Sequence, residues 1–258
     1  MAEPAEAAPI RVRDLSLREV SWGDLGGALA AGWRDFLACP LYGLALAGIY
    51  VAGGWLLYVA LYRQGQVAWL VPAAGCFPLI APFIAVALYE ISRRREAGQA
   101  VGWGDVVGGV RGRGDDQVLM LGGFLFVGVT FWIIIAHGIF AVFLAESGIG
   151  SESLALFATP SGMAMLAVGG AVGAGIAALF YAVTVISLPL LVDRDVDFVT
   201  AMLVSMAVVR ASPAVMLGWA ALLAAGLGVG MVPGFLGLFV ALPVLGHATW
   251  HLYRRAVG

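Results

Sequence analysis

The chain has 258 residues, of which 62% are apolar and only 12% are charged, and its formal net charge is −2. A soluble domain usually carries about 25% charged residues, so this composition indicates a protein whose solvent is mostly lipid. The small negative charge offers no basic surface for phosphates, and no nucleic-acid partner is expected. Residues 1–9 lack the basic region and apolar core of a signal peptide, and we expect a disordered cytoplasmic tail over residues 1–15.

Six apolar stretches follow, and each is about as long as a membrane-crossing helix. Such a helix needs roughly 20 apolar residues. The sequence therefore predicts an all-α, polytopic membrane protein with six transmembrane helices, organised as a single domain over residues 16–258. The predicted spans are Leu41–Leu61, Val67–Ile91, Val118–Leu144, Gly162–Val192, Pro213–Met231 and Gly234–Tyr253.

The basic residues are divided very unevenly between the two sides of these spans. Of the fourteen, only Arg63 falls on one side, and the others fall on the side that carries both termini. Basic residues near span ends remain cytoplasmic, so the pattern predicts an inner-membrane protein with its N- and C-termini in the cytoplasm. The loops between the spans are too short to form an enzyme by themselves, and a non-enzymatic protein is expected.

An amphipathic segment precedes each pair of spans, which predicts three hairpin units. In the first segment, Ser21 is expected to cap a helix together with Asp24. The face predicted to be apolar carries Leu25, Leu29, Trp33 and Phe36. The second segment, Trp103–Val110, is shorter, and the third, Asp197–Arg210, resembles the first.

The returning spans also share a proline that precedes a polar cluster. These prolines are Pro78, Pro189 and Pro243. A proline inside a span bends the helix and frees a carbonyl, so the three positions favour a repeated hairpin. The alternative is that apolar sequences with scattered prolines align easily.

His247 and His251 are the strongest candidates for chemistry. Their spacing of four residues places both imidazoles on one helical face. Two such nitrogens could contribute to a metal site, but further ligands would be needed. The alternative is that both histidines hydrogen-bond across helices. His137 is expected near the opposite side of the bilayer and cannot share a haem with His247, and we assign no metal and no cofactor.

Acidic residues stand at the cytoplasmic ends of two spans. Glu90 is followed by Arg93 and Arg94, which can pair with it on the same helical face. The Asp193–Asp195 cluster could bind a cation or a partner, or it could be a solvated loop that precedes a helix capped by Asp197. As a candidate binding cluster on the cytoplasmic side, the sequence supplies Glu90, Asp193, Arg194, Asp195, His247 and His251.

Four motifs resemble a known family. They are residues 32–36 (GWRDF), 88–98 (LYEISRRREAG), 188–196 (LPLLVDRDV) and 242–255 (LPVLGHATWHLYRR). On these motifs the chain resembles, from about residue 16 to its end, the bacterial integral-membrane domain-of-unknown-function family 2189. The resemblance implies a six-span inner-membrane protein without an assigned activity. Some family members are labelled putative cytochrome c oxidase subunit I, but three histidines are too few for the two haems and the copper of that subunit.

Three functional hypotheses follow. The first is a non-enzymatic accessory, assembly or scaffold protein, beside a respiratory or other membrane protein complex. The second is a small-solute transporter or channel, although no charge falls at the centre of a predicted span. The third is a metal- or haem-binding membrane redox protein, in which His247 and His251 would be ligands.

Overall fold

The computed structural model describes residues 15–66, 69–70, 73, 82–109, 116–144 and 154–258. Within these ranges the chain is helical, and its one β-bridge joins Leu17 to Val257. A short 3-10 helix, Leu154–Ala158, precedes the sixth α-helix. The α-helices are α1 (Trp22–Ala38), α2 (Pro40–Arg63), α3 (Pro82–Glu96), α4 (Trp103–Gly108), α5 (Gln117–Leu144), α6 (Pro160–Thr184), α7 (Ser187–Asp193), α8 (Phe198–Ala211), α9 (Pro213–Met231) and α10 (Leu238–Ala256).

Four apolar helical segments are long enough to cross a membrane. They are Pro40–Arg63, Gln117–Phe143, Pro160–Asp193 and Pro213–Met231. These segments correspond to the first, third, fourth and fifth predicted spans, and they make the chain an all-helical integral membrane protein.

The other two predicted spans differ from these four. Of the second, Val67–Ile91, residues 67–68, 71–72 and 74–81 lie outside the described residues, and its last part belongs to α3. The sixth corresponds to α10, which is helical but is not among the four membrane-length apolar segments. The C-terminal half of α10 contains two histidines and two arginines, which explains its lower hydropathy. The count of six spans and the hairpin repeat therefore stay predictions.

Helix α10 is the centre of the bundle rather than a peripheral span. Of its 19 residues, 12 are buried, and it packs against α1, α2, α3, α7 and α9. The approach to α1 is closest at Gly32, where a Cβ atom would lie 2.5 Å from the backbone nitrogen of Ala248. Gly43 of α2 similarly faces Pro243, where a Cβ atom would lie 2.7 Å from the proline ring. The absence of side chains at these two glycines lets α1 and α2 reach the central helix.

Helix α1 begins and ends where the sequence predicts. Ser21 accepts a hydrogen bond from the backbone of Asp24, and the Asp24 carboxylate in turn accepts one from the Ser21 backbone. Pro40 opens α2 directly after α1 ends. Of the predicted apolar face, Leu25 and Phe36 are buried, whereas Trp33 is 45% exposed. The buried face instead carries Leu25, Ala28, Ala31, Gly32, Asp35 and Phe36.

The predicted fourth span is interrupted before Pro189. Helix α6 ends at Thr184, and α7 starts at Ser187. Proline has no N–H to donate to the carbonyl of residue 185 and would clash with it, so a continuous helix is disfavoured. Nearby hydroxyls bind the backbone around the break: Ser187 donates to the carbonyl of Val183, and Ser205 accepts from the backbone of Ile186. The break can therefore lie in the core of the bundle.

The two ends of the described chain lie together. The backbone nitrogen of Arg18 donates to the carbonyl of Ala256 at 2.9 Å, and that of Gly258 donates to Ser16 at 3.0 Å. Residues 1–14 of the predicted tail lie outside the described residues, and Leu15 is buried. This pairing fixes the start of α1 beside the end of α10.

Candidate functional site

A buried carboxylate on α1 joins three helices at one end of the bundle. Asp35 Oδ2 lies 2.8 Å from His251 Nε2 and 2.7 Å from the Ser92 hydroxyl, and Asp35 Oδ1 lies 3.0 Å from Arg95 Nε. Ser92 is also 2.8 Å from Nδ1 of His247. We call Asp35, Ser92, Arg95, His247 and His251 the Asp35 cluster. It connects α1, α3 and α10.

The direction of each hydrogen bond in the Asp35 cluster follows from the groups involved. An ionised carboxylate only accepts, so Ser92, Arg95 and His251 all donate to Asp35. Ser92 has a single hydroxyl proton, and because that proton goes to Asp35, its oxygen accepts from Nδ1 of His247. Neutral His247 then carries its proton on Nδ1. Its Nε2 is buried and has no hydrogen-bond partner in the described part of the chain.

The surroundings of Asp35 favour its charged form. The residue is only 7% exposed, and burial by itself would raise the pKa of its carboxyl group. The hydrogen bonds from His251, Ser92 and Arg95 outweigh burial, so the pKa of Asp35 lies well below its usual range. Asp35 is therefore ionised at neutral pH and holds its three donors in place.

The Asp35 cluster contains a serine, a histidine and an aspartate, but they are not arranged as in a hydrolase. In the hydrolytic triad the histidine lies between the serine and the aspartate and accepts the serine proton. Here Ser92 lies between His247 and Asp35, and it donates its proton to the carboxylate. This order orients the three side chains but does not activate the Ser92 hydroxyl as a nucleophile.

Glu90 belongs to a separate ion-pair group on α3, the helix that also carries Ser92 and Arg95. Its carboxylate accepts hydrogen bonds from Arg93 at 2.6 Å and from Arg94 at 2.7 Å. Arg94 also reaches Asp105 of α4 at 2.7 Å. The pairing of Glu90 with the arginines three and four positions later is the arrangement that the spacing predicts. Glu90 is thus neutralised within α3, and among the described residues no hydrogen bond or ion pair joins it to the Asp35 cluster.

The Asp193 group connects the end of α7 to α10. Asp193 accepts a hydrogen bond from the Tyr253 hydroxyl at 2.7 Å and lies 3.3 Å from Arg254. Arg254 also pairs with Glu96 of α3 at 3.3 Å. Arg194 donates to the carbonyl of Gly258 at 2.8 Å. Asp195 is exposed and stands apart from these contacts.

The structure thus brings some of the predicted site residues together and separates others. His247 and His251 meet through Ser92 and Asp35, Asp193 and Arg194 contact the C-terminal part of the chain, and Glu90 pairs within its own helix. The predicted helix cap by Asp197 is confirmed, since its carboxylate accepts from the backbone of Thr200 at 2.8 Å.

The structure also shows whether the described side chains lie close enough together to share a metal ion. Among the residues that the structure describes, no three His, Cys, Asp or Glu side chains are grouped as a metal-ligand set. Nε2 of His251 is occupied by Asp35. His137 lies on α5, where its ring stacks on Trp69 with centroids 4.2 Å apart.

Comparison with known families adds one finding. Residues 70–193 match the family model of a predicted integral membrane protein, DUF2189. Over this segment, just under half of its length, the chain is similar to that family. No curated protein and no solved structure matches the chain. The family match confirms the resemblance seen in the sequence, but over a shorter range than the expected one from about residue 16 to the end.

The DUF2189 segment contains only part of each polar group. Glu90, Ser92, Arg95 and Asp193 lie inside it, whereas Asp35, His247 and His251 lie outside. The Asp35 cluster is therefore assembled from the family segment and from both flanking regions of the chain.

Sequence reasoning missed three members of the cluster, Asp35, Ser92 and Arg95. A signal for Asp35 was present, because Leu25, Ala28, Gly32 and Asp35 follow one another at helical spacing on a single face. Ser92 had no comparable signal, since a serine at the end of a span is common and its partners come from distant helices.

Proposed function

We propose that this protein is a non-enzymatic accessory or scaffold protein of a membrane complex, acting through its packed helices and its polar face. The observation that supports this most directly is the Asp35 cluster. Donors from α3 and α10 satisfy the buried carboxylate of α1, and Nε2 of His247 is the one buried polar atom of the cluster without a partner in the described part of the chain. A site built for substrate would instead leave a reactive group facing a cavity. The polar end of the bundle is thus suited to holding helices in a fixed arrangement.

The surface of α2 is suited to contact with another membrane protein. Only Gly43, Ala47 and Val51 of its 24 residues are buried, so most of the helix faces outwards. Tyr58 and Tyr62 stack on this helix with ring centroids 6.0 Å apart. Aromatic side chains supply much of the contact area in protein interfaces. We assign α2 as the face that meets a partner, with a respiratory complex as the first candidate.

Site-specific photo-crosslinking tests the scaffold role. A photoreactive residue at Leu56, which is 73% exposed on α2, should capture one defined membrane protein in native membranes. The matched control is Ala47 of the same helix, which is fully buried and should give no intermolecular product. Mass spectrometry of the product identifies the partner. Products with lipid alone, or the same products from both positions, would contradict the proposal.

The proposal also includes the number of spans and their orientation in the membrane. We infer six spans in three hairpins, with both termini in the cytoplasm of a bacterial cell. The uneven distribution of arginines supports this orientation. Single cysteines introduced at Gln64 and at Asp195 test it, because a membrane-impermeant maleimide added to intact cells or spheroplasts should label the first and not the second. The opposite labelling pattern would reverse the topology.

Transport of a small solute is a second candidate, and a cavity favours it. The cavity has a volume of about 420 Å³ and lies between α6, α9 and α10. Its lining is almost entirely apolar, so it suits a small apolar solute better than an ion or a strongly polar solute. Flux of a small apolar solute into vesicles that contain the purified protein, above the flux into empty vesicles, would favour transport over the scaffold role.

A further inference from the structure

The cavity is formed by two membrane helices that face each other without packing closely. Helix α6 packs on α5 and α8, and α9 packs on α10. Across the gap, α6 contributes Ala174, Ala177 and Ala178, and α9 contributes Ala220, Ala221 and Ala224. Alanines normally allow membrane helices to pack tightly, but here they line a space. The gap between α6 and α9 is therefore a consequence of how these helices are arranged.

The cavity extends from the polar end of α3 towards the middle of the bilayer. Residues 220–227 of α9 are roughly 10–20 Å from the start of that helix at a rise of 1.5 Å per residue. The lining residues 174–178 of α6 are roughly 9–15 Å from the end of that helix by the same rise. The hydrocarbon core is about 30 Å thick, so both helices place the cavity within it.

Water is a poor occupant for this space, whereas a hydrocarbon chain is a good one. A volume of about 420 Å³ lies in the range of ligand pockets, and apolar cavities in proteins remain dry. The cavity is only partly enclosed. Exposed apolar residues such as Leu179 and Leu217 lie on the same two helices. An opening between these helices would be continuous with the surface that membrane lipid covers.

One side chain of the lining can donate a hydrogen bond to a ligand in the cavity. Tyr89 of α3 is 4% exposed and lines the cavity, and its hydroxyl has no hydrogen-bond partner among the described residues. The other lining hydroxyls are committed, because Tyr181 donates to the carbonyl of Met216, while Thr184 and Thr249 donate to carbonyls of their own helices. Tyr89 is thus the lining hydroxyl that is free to donate to a ligand oxygen.

We propose that the cavity between α6 and α9 binds one acyl chain of a membrane phospholipid, with Tyr89 donating a hydrogen bond to the ester carbonyl. The alanines accommodate the chain, and Tyr89 lies next to the charged end of α3, where the bilayer becomes polar. No charged residue is among the lining residues that the structure describes. A neutral ester fits this lining better than the carboxylate of a free fatty acid does. The inference does not depend on the scaffold role.

Native mass spectrometry tests this site directly. The full-length protein is reconstituted in vesicles of phosphatidylethanolamine and phosphatidylglycerol, extracted in mild detergent and activated in stages. The wild-type protein should retain a single phospholipid after the other lipids have dissociated. Ala177→Leu combined with Ala220→Leu fills the cavity and should abolish this retention. The matched control, Ala171→Leu with Ala225→Leu, adds the same atoms to exposed positions outside the lining and should retain the lipid.

A second variant separates binding from folding. Tyr89→Phe adds no atoms, so it should fold normally by circular dichroism and lose the phospholipid at a lower activation energy than the wild type does. Equal retention by the wild type, the filled variant and Tyr89→Phe would overturn the proposal. Retention of a mass equal to a free fatty acid, rather than a phospholipid, would also overturn it.

Discussion

His251 Nε2 lies 2.8 Å from Oδ2 of Asp35, although the two residues are 216 positions apart in the chain. The contact closes the bundle by connecting the first helix to the last. Ser92 and Arg95 of α3 bind the same carboxylate. Because all of these donors bind Asp35, replacing that one residue tests how much the cluster contributes to the stability of the fold.

Replacement of Asp35 by Asn should destabilise the fold. The substitution removes the negative charge that accepts hydrogen bonds from three donors, and hydrogen bonds to charged groups are each worth about 1.5–3 kcal/mol. We expect a loss of at least that size in the free energy of unfolding, measured by denaturant titration in detergent. Asp195→Asn is the control, because Asp195 is exposed and its replacement should change stability by less than about 0.5 kcal/mol. Equal effects of the two substitutions would contradict a structural role for Asp35.

The same carboxylate predicts a loss of stability in acid. The pKa of Asp35 is lowered by folding, so its contribution is complete above the unfolded pKa of about 3.9 and disappears as the pH falls through the folded value. The melting temperature of the wild-type protein should therefore fall when the pH drops below about 4. Asp35→Asn should show a flatter profile over this range. Identical pH profiles for the two proteins would show that Asp35 does not cause the loss of stability in acid.

Ser92→Ala should show that Ser92 couples His247 to Asp35. The substitution removes the hydroxyl that accepts from His247 and donates to Asp35, and a buried group left without its partner costs about 1–3 kcal/mol. A double-mutant cycle with His247→Leu measures the coupling. Because both substitutions break the same hydrogen bond, the double variant should be less destabilised than the sum of the single variants. Additive losses would argue against the bond.

Gly32→Ala should weaken the packing of α1 on α10. The new methyl group would lie 2.5 Å from the backbone nitrogen of Ala248, and overpacking of this kind costs about 1–3 kcal/mol. Gly26 is a matched control on the same helix, since a Cβ atom there has no neighbour within 4 Å. Gly26→Ala should stabilise the protein slightly because alanine favours helix. Melting temperatures in detergent compare the two variants, and a tolerated Gly32→Ala would rule out the close approach.

Local features of the fold could be predicted from the sequence because they depend on neighbouring residues. The capping pair Ser21 and Asp24, the proline that opens α2, the Asp197 cap and the pairing of Glu90 with Arg93 and Arg94 all depend on partners no more than four positions away. Four membrane-length helices follow from apolar length alone. The DUF2189 family was also recognisable, although the matched range is shorter than expected.

The assembly of the site was decided by tertiary structure. Neither the spacing of His247 and His251 nor the amphipathic pattern of α1 shows that Asp35 lies between α3 and α10, because that contact depends on how three separated helices pack. The same packing made α10 the buried centre of the bundle and left a cavity between two alanine-lined helices. A sequence determines which faces of its helices are apolar, but the close approaches at Gly32 and Gly43 determine which faces meet.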